Sequence, residues 1–110
     1  MIEIQLSPEG ESRRVVQLSS VVVLTLVTRY SYYQRVWTLD ILDAQGGDVL
    51  LGLPLVPGLD LLAPYPQQKK TLGGLLLLQR RREAHRTPES LGVDTQLLWF
   101  APGEPVEVPA

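Results

Sequence analysis

The sequence predicts an all-β fold: a small single-domain antiparallel β-barrel or β-sandwich of about six or seven strands. Two observations predict it. Apolar residues recur at every second position in one short stretch after another, the period of a strand with one dry face. Each stretch is bounded by Gly, Pro, Asp or Ser, the residues that turn a chain. At 110 residues the chain is one domain. The β-domain is expected over residues 1–100, followed by an extended C-terminal arm over 101–110.

The elements follow in order. Ile2, Ile4 and Leu6 alternate with Glu3 and Gln5, and Ser7-Pro8-Glu9-Gly10 makes a turn. Ser12–Leu18 alternates again, with Arg14, Val16 and Leu18 on one side. Val21–Thr28 is a β-branched run with Val22, Leu24 and Leu26 on one face and Val21, Val23, Thr25 and Val27 on the other. Tyr30–Gln34 reads as a hairpin tip. Arg35–Leu42 places Trp37, Leu39 and Ile41 together. Asp43–Asp48, with Gly46-Gly47, is a hairpin loop, and Val49–Leu53 is the returning strand. Pro54, Pro57 and Pro64 then bar a central strand, since each lacks a ladder donor. Gly58 suits a positive φ, and Leu59–Ala63 suits one helical turn. Gln67–Thr71 reads as a polar loop, Leu72–Gln79 as a strand entered through Gly73-Gly74, and Arg80–Leu91 as a long charged loop. Val93–Phe100 is the last strand, with Val93, Leu97 and Trp99 on one side.

Composition narrows the function classes. A net charge of −2 gives no global attraction to nucleic acid or to an anionic membrane. With no cysteine there is no disulfide framework and no thiolate site, and the compartment leans only weakly to the cytosol. Met1–Leu6 lacks the basic start and apolar core of a signal peptide. The longest apolar runs, at Val21–Val27 and Leu75–Leu78, fall far short of the ~20 residues of a membrane helix. The expectation is a soluble protein with no visible export address.

Catalytic and metal chemistry find little to work with. His85 is the sole histidine and lies in a charged loop, so a zinc site has no ligand set. Serines are present, but no motif builds a Ser-His-Asp arrangement. Asp40, Asp43 and Asp48 surround a hairpin without the spacing of a calcium loop, and turn or strand-face roles suit them better. No pair of acids is nominated for glycoside hydrolysis. The glycines match no phosphate-binding loop. The expectation is a non-enzyme with no cofactor and no metal.

Apolar surface is in surplus instead. An antiparallel strand in a small domain usually has one dry face, yet Val21–Val27 and Leu75–Leu78 are apolar on both. Part of this surface is either covered by Leu59–Tyr65 or left for a partner. Val21, Val23, Val27, Leu76 and Leu78 are therefore candidate partner contacts. Arg80, Arg81, Arg82 and Arg86, with Lys69-Lys70, form the local basic bias, two patches expected at opposite ends of one strand. They are either solvated loops or contacts with an acidic protein surface or nucleic acid. Tyr30, Tyr32 and Tyr33 suit packing or protein recognition, or base stacking, and Tyr32 and Tyr33 are the candidate partner contacts among them. Pro54, Pro57, Gly58, Pro64 and Tyr65 mark a structural segment held in a fixed non-sheet conformation.

An ordered set of short motifs resembles the small baseplate plug proteins of contractile-tailed bacteriophages, the cyanophage-type plug family. The set begins with Ile4-x-Leu6-Ser7-Pro8 and continues with Trp37-x-Leu39-Asp40-Ile41 and a following glycine. Its strongest part is Gly52-x-Pro54-Leu55-Val56-Pro57-Gly58-x-Asp60-Leu61-Leu62-Ala63-Pro64-Tyr65. Gly73-Gly74 then opens a strand, and Thr87-Pro88 with Leu91-Gly92 leads into the last one. The resemblance runs from Ile2 to about Phe100. The loops at Gln67–Thr71 and Arg80–Arg86 depart from it in being more basic. The resemblance implies a virion structural part without enzymatic activity, made in the host cytoplasm and located in the tail baseplate. It implies a plug of the baseplate hub that closes or completes the distal end of the tail tube. Its implied partners are hub, tail tube and spike proteins and copies of itself in a ring of three or six. No membrane is implied, and no nucleic acid beyond proximity to the DNA conduit. The alternative from the residues alone is a small β-barrel binding single-stranded nucleic acid or carbohydrate on a tyrosine-lined face.

Overall fold

In the computed structural model, which describes residues 1–8 and 12–107, the alternating stretches pair into two antiparallel sheets. The strands are β1 (Ile2–Ile4), β2 (Ser12–Gln17), β3 (Val23–Ser31), β4 (Val36–Asp43), β5 (Asp48–Pro54), β6 (Gly74–Gln79) and β7 (Thr95–Phe100). One sheet has the order β1-β7-β6 and the other β2-β3-β4-β5. The sheets do not close into a barrel. Leu24, Leu26, Leu39 and Ile41 of the larger sheet share one core with Ile4, Leu75, Leu77 and Leu97 of the smaller. Of the two expected architectures, the chain adopts the sandwich.

Register follows the pleat. Arg14, Leu26, Ile41 and Leu50 stand in one cross-strand row, so the apolar members of β3 and β4 fall on the same face. β5 carries register shifts between its pairings with Leu39, Ile41 and Leu42. Gly52 sits there with φ +72, and its N–H donates to Asp40 Oδ1 at 2.8 Å. Pro54 ends β5 opposite Thr38, on an edge strand where a missing donor is tolerated.

Several elements differ from expectation. Tyr30 and Ser31 belong to β3, opposite Trp37 and Val36, so the hairpin tip is 32–35. The stretch read as a polar loop is a helix, α1 (Pro66–Leu72). Proline at its start has φ pre-set for a helix, and Gln67, Gln68, Lys69 and Lys70 are good helix formers. Only Leu72 of this helix is buried, so an apolar period had almost nothing to register. Leu72 ends the helix rather than opening β6. The helical turn expected at 59–63 is a turn at 61–64. The charged loop contains two 3-10 turns, Ala84–Arg86 and Pro88–Ser90. β7 starts at Thr95, and Val93 lies outside it, exposed. The turn at 7–10 falls partly outside the described residues, as does the end of the arm at 108–110.

Residues 54–65 carry the chain from one sheet to the other. Leu55 N–H donates to Trp37 O at 2.9 Å, and Leu61 N–H to Leu75 O at 2.8 Å. Pro57 bridges Leu77, and Asp60 bridges Leu76. Gly58 has φ +95. Leu55, Leu61 and Leu62 are buried in the common core. Asp60 fixes the crossing: Oδ1 accepts from the N–H of Leu62 and of Leu75, both at 3.1 Å, and Oδ2 accepts from Lys69 Nζ.

Much of the surplus apolar surface is absorbed within the chain. Leu76, Leu98 and Phe100 form a second, smaller cluster with Leu78 and Val106 packed against it. Its cover comes from the arm, whereas residues 57–61 meet β6 at its edge. On the larger sheet, Val27, Val36 and Leu42 are buried without joining either cluster. Val27 stands between Arg13 and Asp40 in register, beside the Arg29–Asp40 ion pair at 3.3 Å.

Candidate docking surface

The ends of the sandwich hold what is left over. At one end, the β3–β4 hairpin meets the β6–β7 connection. Tyr30 Oη donates to Arg86 O at 2.7 Å, and Trp37 Nε1 donates to Pro88 O at 3.2 Å. Tyr30 holds Tyr32 edge-on at 4.9 Å and Trp37 at 5.7 Å between ring centroids. The hairpin tip is set by Ser31, whose O accepts from Arg35 N–H at 2.7 Å and whose Oγ accepts from Gln34 N–H at 3.2 Å. Arg35 takes φ +58, a region that side chains other than glycine seldom enter. Tyr32 is 81 % exposed and Tyr33 98 %.

The basic residues at this end divide by role. Arg81 is a brace: its Nε pairs with Asp94 Oδ2 at 3.0 Å, and its Nη2 donates to Ser90 Oγ at 2.8 Å. Arg86 pairs with Glu83 at 3.2 Å. Arg80 and Arg82 are exposed. His85 Nδ1 lies 2.8 Å from Gln79 Oε1. Burial, with Arg86 beside it, holds this imidazole below its ordinary value, against the opposing pull of Glu83. Lys69 and Lys70 precede β6 while the arginines follow it, so the two basic patches lie at its opposite ends.

At the other end of β3, a groove of about 640 Å³ opens between the strand ends and α1. Val21, Val23, Asp43, Val49, Gln68 and Thr71 line it. Val21 is 87 % exposed. Of the apolar contact candidates, Val21 and Val23 therefore reach this groove. Val27 and Leu76 are buried within the chain, and Leu78 is half-buried against the second cluster.

Sequence reasoning placed Tyr32, Tyr33 and the arginines in separate loops; the fold brings the two loops to one end through the Tyr30–Arg86 contact. It weighed Tyr30 only together with the other two tyrosines and passed over Arg35; the importance of Tyr30 lies in its long-range contact with Arg86 and that of Arg35 in its backbone conformation. Adjacency of tyrosine to the hairpin was the only available signal. Among the described residues no group of three or more His, Cys, Asp or Glu is placed to hold a metal, and no helix is long and apolar enough to cross a membrane.

Residues 1–103 match the family model described as cyanophage baseplate Pam3 plug gp18. No curated protein matches the chain.

Proposed function

We propose, from the fact that this chain belongs to the cyanophage baseplate plug family, that it docks on hub and tube subunits and completes the distal end of the tail tube. Membership makes it a structural component of the virion tail baseplate, and a non-enzymatic role is part of the proposal. The match over residues 1–103 is the observation that carries the reading. The fold supports it physically. A sandwich with one shared core is a rigid wedge, and residues 54–65 lock its two sheets together. The exposed tyrosines and arginines are residue types that dominate binding energy at protein interfaces. Hub, tube and spike proteins are the proposed neighbours, with copies of the chain in a ring of three or six.

Mass spectrometry of purified tails tests the reading. The chain is expected in intact particles at a low copy number per baseplate, and tails assembled without it are expected to be non-infectious. Particles that lack the chain and still infect would overturn it. The contribution of the loop is tested by replacing the exposed Arg80 and Arg82 with glutamate, leaving the bracing Arg81 in place. Incorporation is expected to fall at least tenfold, and unchanged incorporation with unchanged infectivity would remove the loop from the interface.

A further inference from the structure

We infer that copies of this chain associate head to tail, the Tyr32–Tyr33 hairpin tip of one copy entering the valine-lined groove of the next. This deepens the reading of a plug ring by naming the two surfaces that meet. The tip and the groove lie at opposite ends of β3, whose nine residues span about 30 Å at ~3.4 Å per residue. That is close to the 33 Å long dimensions of the molecule. The two surfaces complement each other in shape and polarity. The tip presents two exposed aromatic rings, Tyr33 almost fully and Tyr32 edge-on to Tyr30. The groove is lined by apolar Val21, Val23 and Val49 and by polar Gln68, Thr71 and Asp43. Such a mixed lining suits rings that carry a hydroxyl.

Charge agrees with this orientation. Residues 29–35 and 80–94 hold six arginines and three carboxylates; Arg29, Arg81 and Arg86 are paired with Asp40, Asp94 and Glu83, and Arg35, Arg80 and Arg82 are exposed. The Tyr–Arg end is thus positive. At the receiving end the groove-lining Asp43 and Asp48, exposed beside the groove-lining Val49, supply carboxylates, against the exposed Lys70 of α1, while Lys69 is paired with Asp60. Glu83, Glu89 and Asp94 interrupt the arginines, which disfavours a continuous phosphate backbone as the occupant and suits a surface with discrete carboxylates.

Because the two surfaces differ, the contact is heterologous, and it gives a ring when the rotation from one copy to the next closes. Two tyrosines bury on the order of 300–500 Å², less than the ~800 Å² per partner of a stable complex. A single contact is therefore weak, and closure, in which every copy makes two contacts, supplies the avidity.

The absence of cysteine allows a direct test on the isolated chain. Tyr33→Cys chains are mixed with Val21→Cys chains under mild oxidation, and linked peptides are identified by mass spectrometry. Both sites are exposed, so folding is preserved. The heterologous 33–21 link is expected at least tenfold above a control mixture of Tyr33→Cys with Val15→Cys, whose site on β2 is also exposed. In sedimentation, Tyr32→Ser with Tyr33→Ser is expected to weaken self-association at least tenfold. A 33–21 link no stronger than the control overturns the inference. So does loss of single-stranded DNA binding in the tyrosine variant with self-association unchanged, which would assign the tip to nucleic acid. Since incorporation into tails is measured separately, a chain that enters tails but fails to cross-link refutes only the head-to-tail contact.

Discussion

Asp60 shows how a single carboxylate holds this fold. Two backbone N–H groups and the Lys69 ammonium converge on it, joining the crossing segment, β6 and α1. Asp60→Ala would leave those donors without their acceptor, and hydrogen bonds involving charged groups contribute ~1.5–3 kcal/mol each. A loss of about 3 kcal/mol is expected in denaturant melts, with Asp60→Asn falling between it and the parent chain. The hairpin aspartates behave as their setting in the sequence suggested. Asp43 Oδ1 accepts from Gln45 N–H at 2.9 Å and Gly47 N–H at 2.7 Å, and Asp40 accepts from the Gly52 bulge. Glu104 ties the arm down: its carboxylate accepts from the terminal ammonium of Met1 and from Ala101 N–H at 3.0 Å. The ammonium, then the Ala101 N–H, hold its carboxyl below the ordinary glutamate value. A carboxylate with a depressed folded-state value stabilises above its unfolded value, and loses that contribution as pH falls through the folded one. Acidification is therefore expected to free the arm before the core melts. The Ala101 amide resonance should report this, and Glu104→Gln should abolish the pH dependence.

At the scale of elements, what could be read depended on how much periodic signal each one carried. β3 and β4 have long alternating patterns, and their faces came out correctly. α1 has one buried residue and a polar surface, so nothing in its pattern distinguished it from a loop; its opening proline and long polar side chains are the only marks of a helix. The β6 entry shows a different kind of constraint. Gly73 has φ +101, and a Cβ on it would stand 1.9 Å from the backbone O of Phe100. Gly73→Ala meets both a left-handed backbone and an immovable carbonyl. The expected loss, well above the ~1 kcal/mol that alanine costs at a positive φ, would appear in the midpoint of urea unfolding. Gly74→Ala is a useful comparison, because its Cβ would collide with Val106 Cγ2 at 2.2 Å, a side chain of the arm, and come only as near as 3.2 Å to the Asp60 carboxylate. It is expected to displace the arm while sparing the core, visible as a change at Val106 with a smaller shift in midpoint.

At the scale of the whole molecule, a radius of gyration of 13.0 Å equals the ~13 Å of a compact domain of this length. One apolar cluster draws on both sheets and on residues 54–65. Unfolding is therefore expected to be a single cooperative transition, with calorimetric and van't Hoff enthalpies equal. Separate melting of the two sheets would contradict the shared core. The apolar surplus was legible, but its destination was not. Leu76 and Val27 had been assigned to partners because alternation shows which residues share a face and says nothing about what lies over it. The arm covers one face, and paired polar side chains flank the other. The strand period, the turn residues and the ordered motifs by themselves determined an all-β chain, its approximate strands and its family, because these depend on spacing along the backbone. Only the tertiary structure decided that the sheets form an open sandwich, and that Tyr32, Tyr33 and the arginines share one end while Val21 faces a groove at the other. Those facts rest on contacts between residues roughly fifty positions apart, such as Tyr30 to Arg86, and no local pattern encodes them.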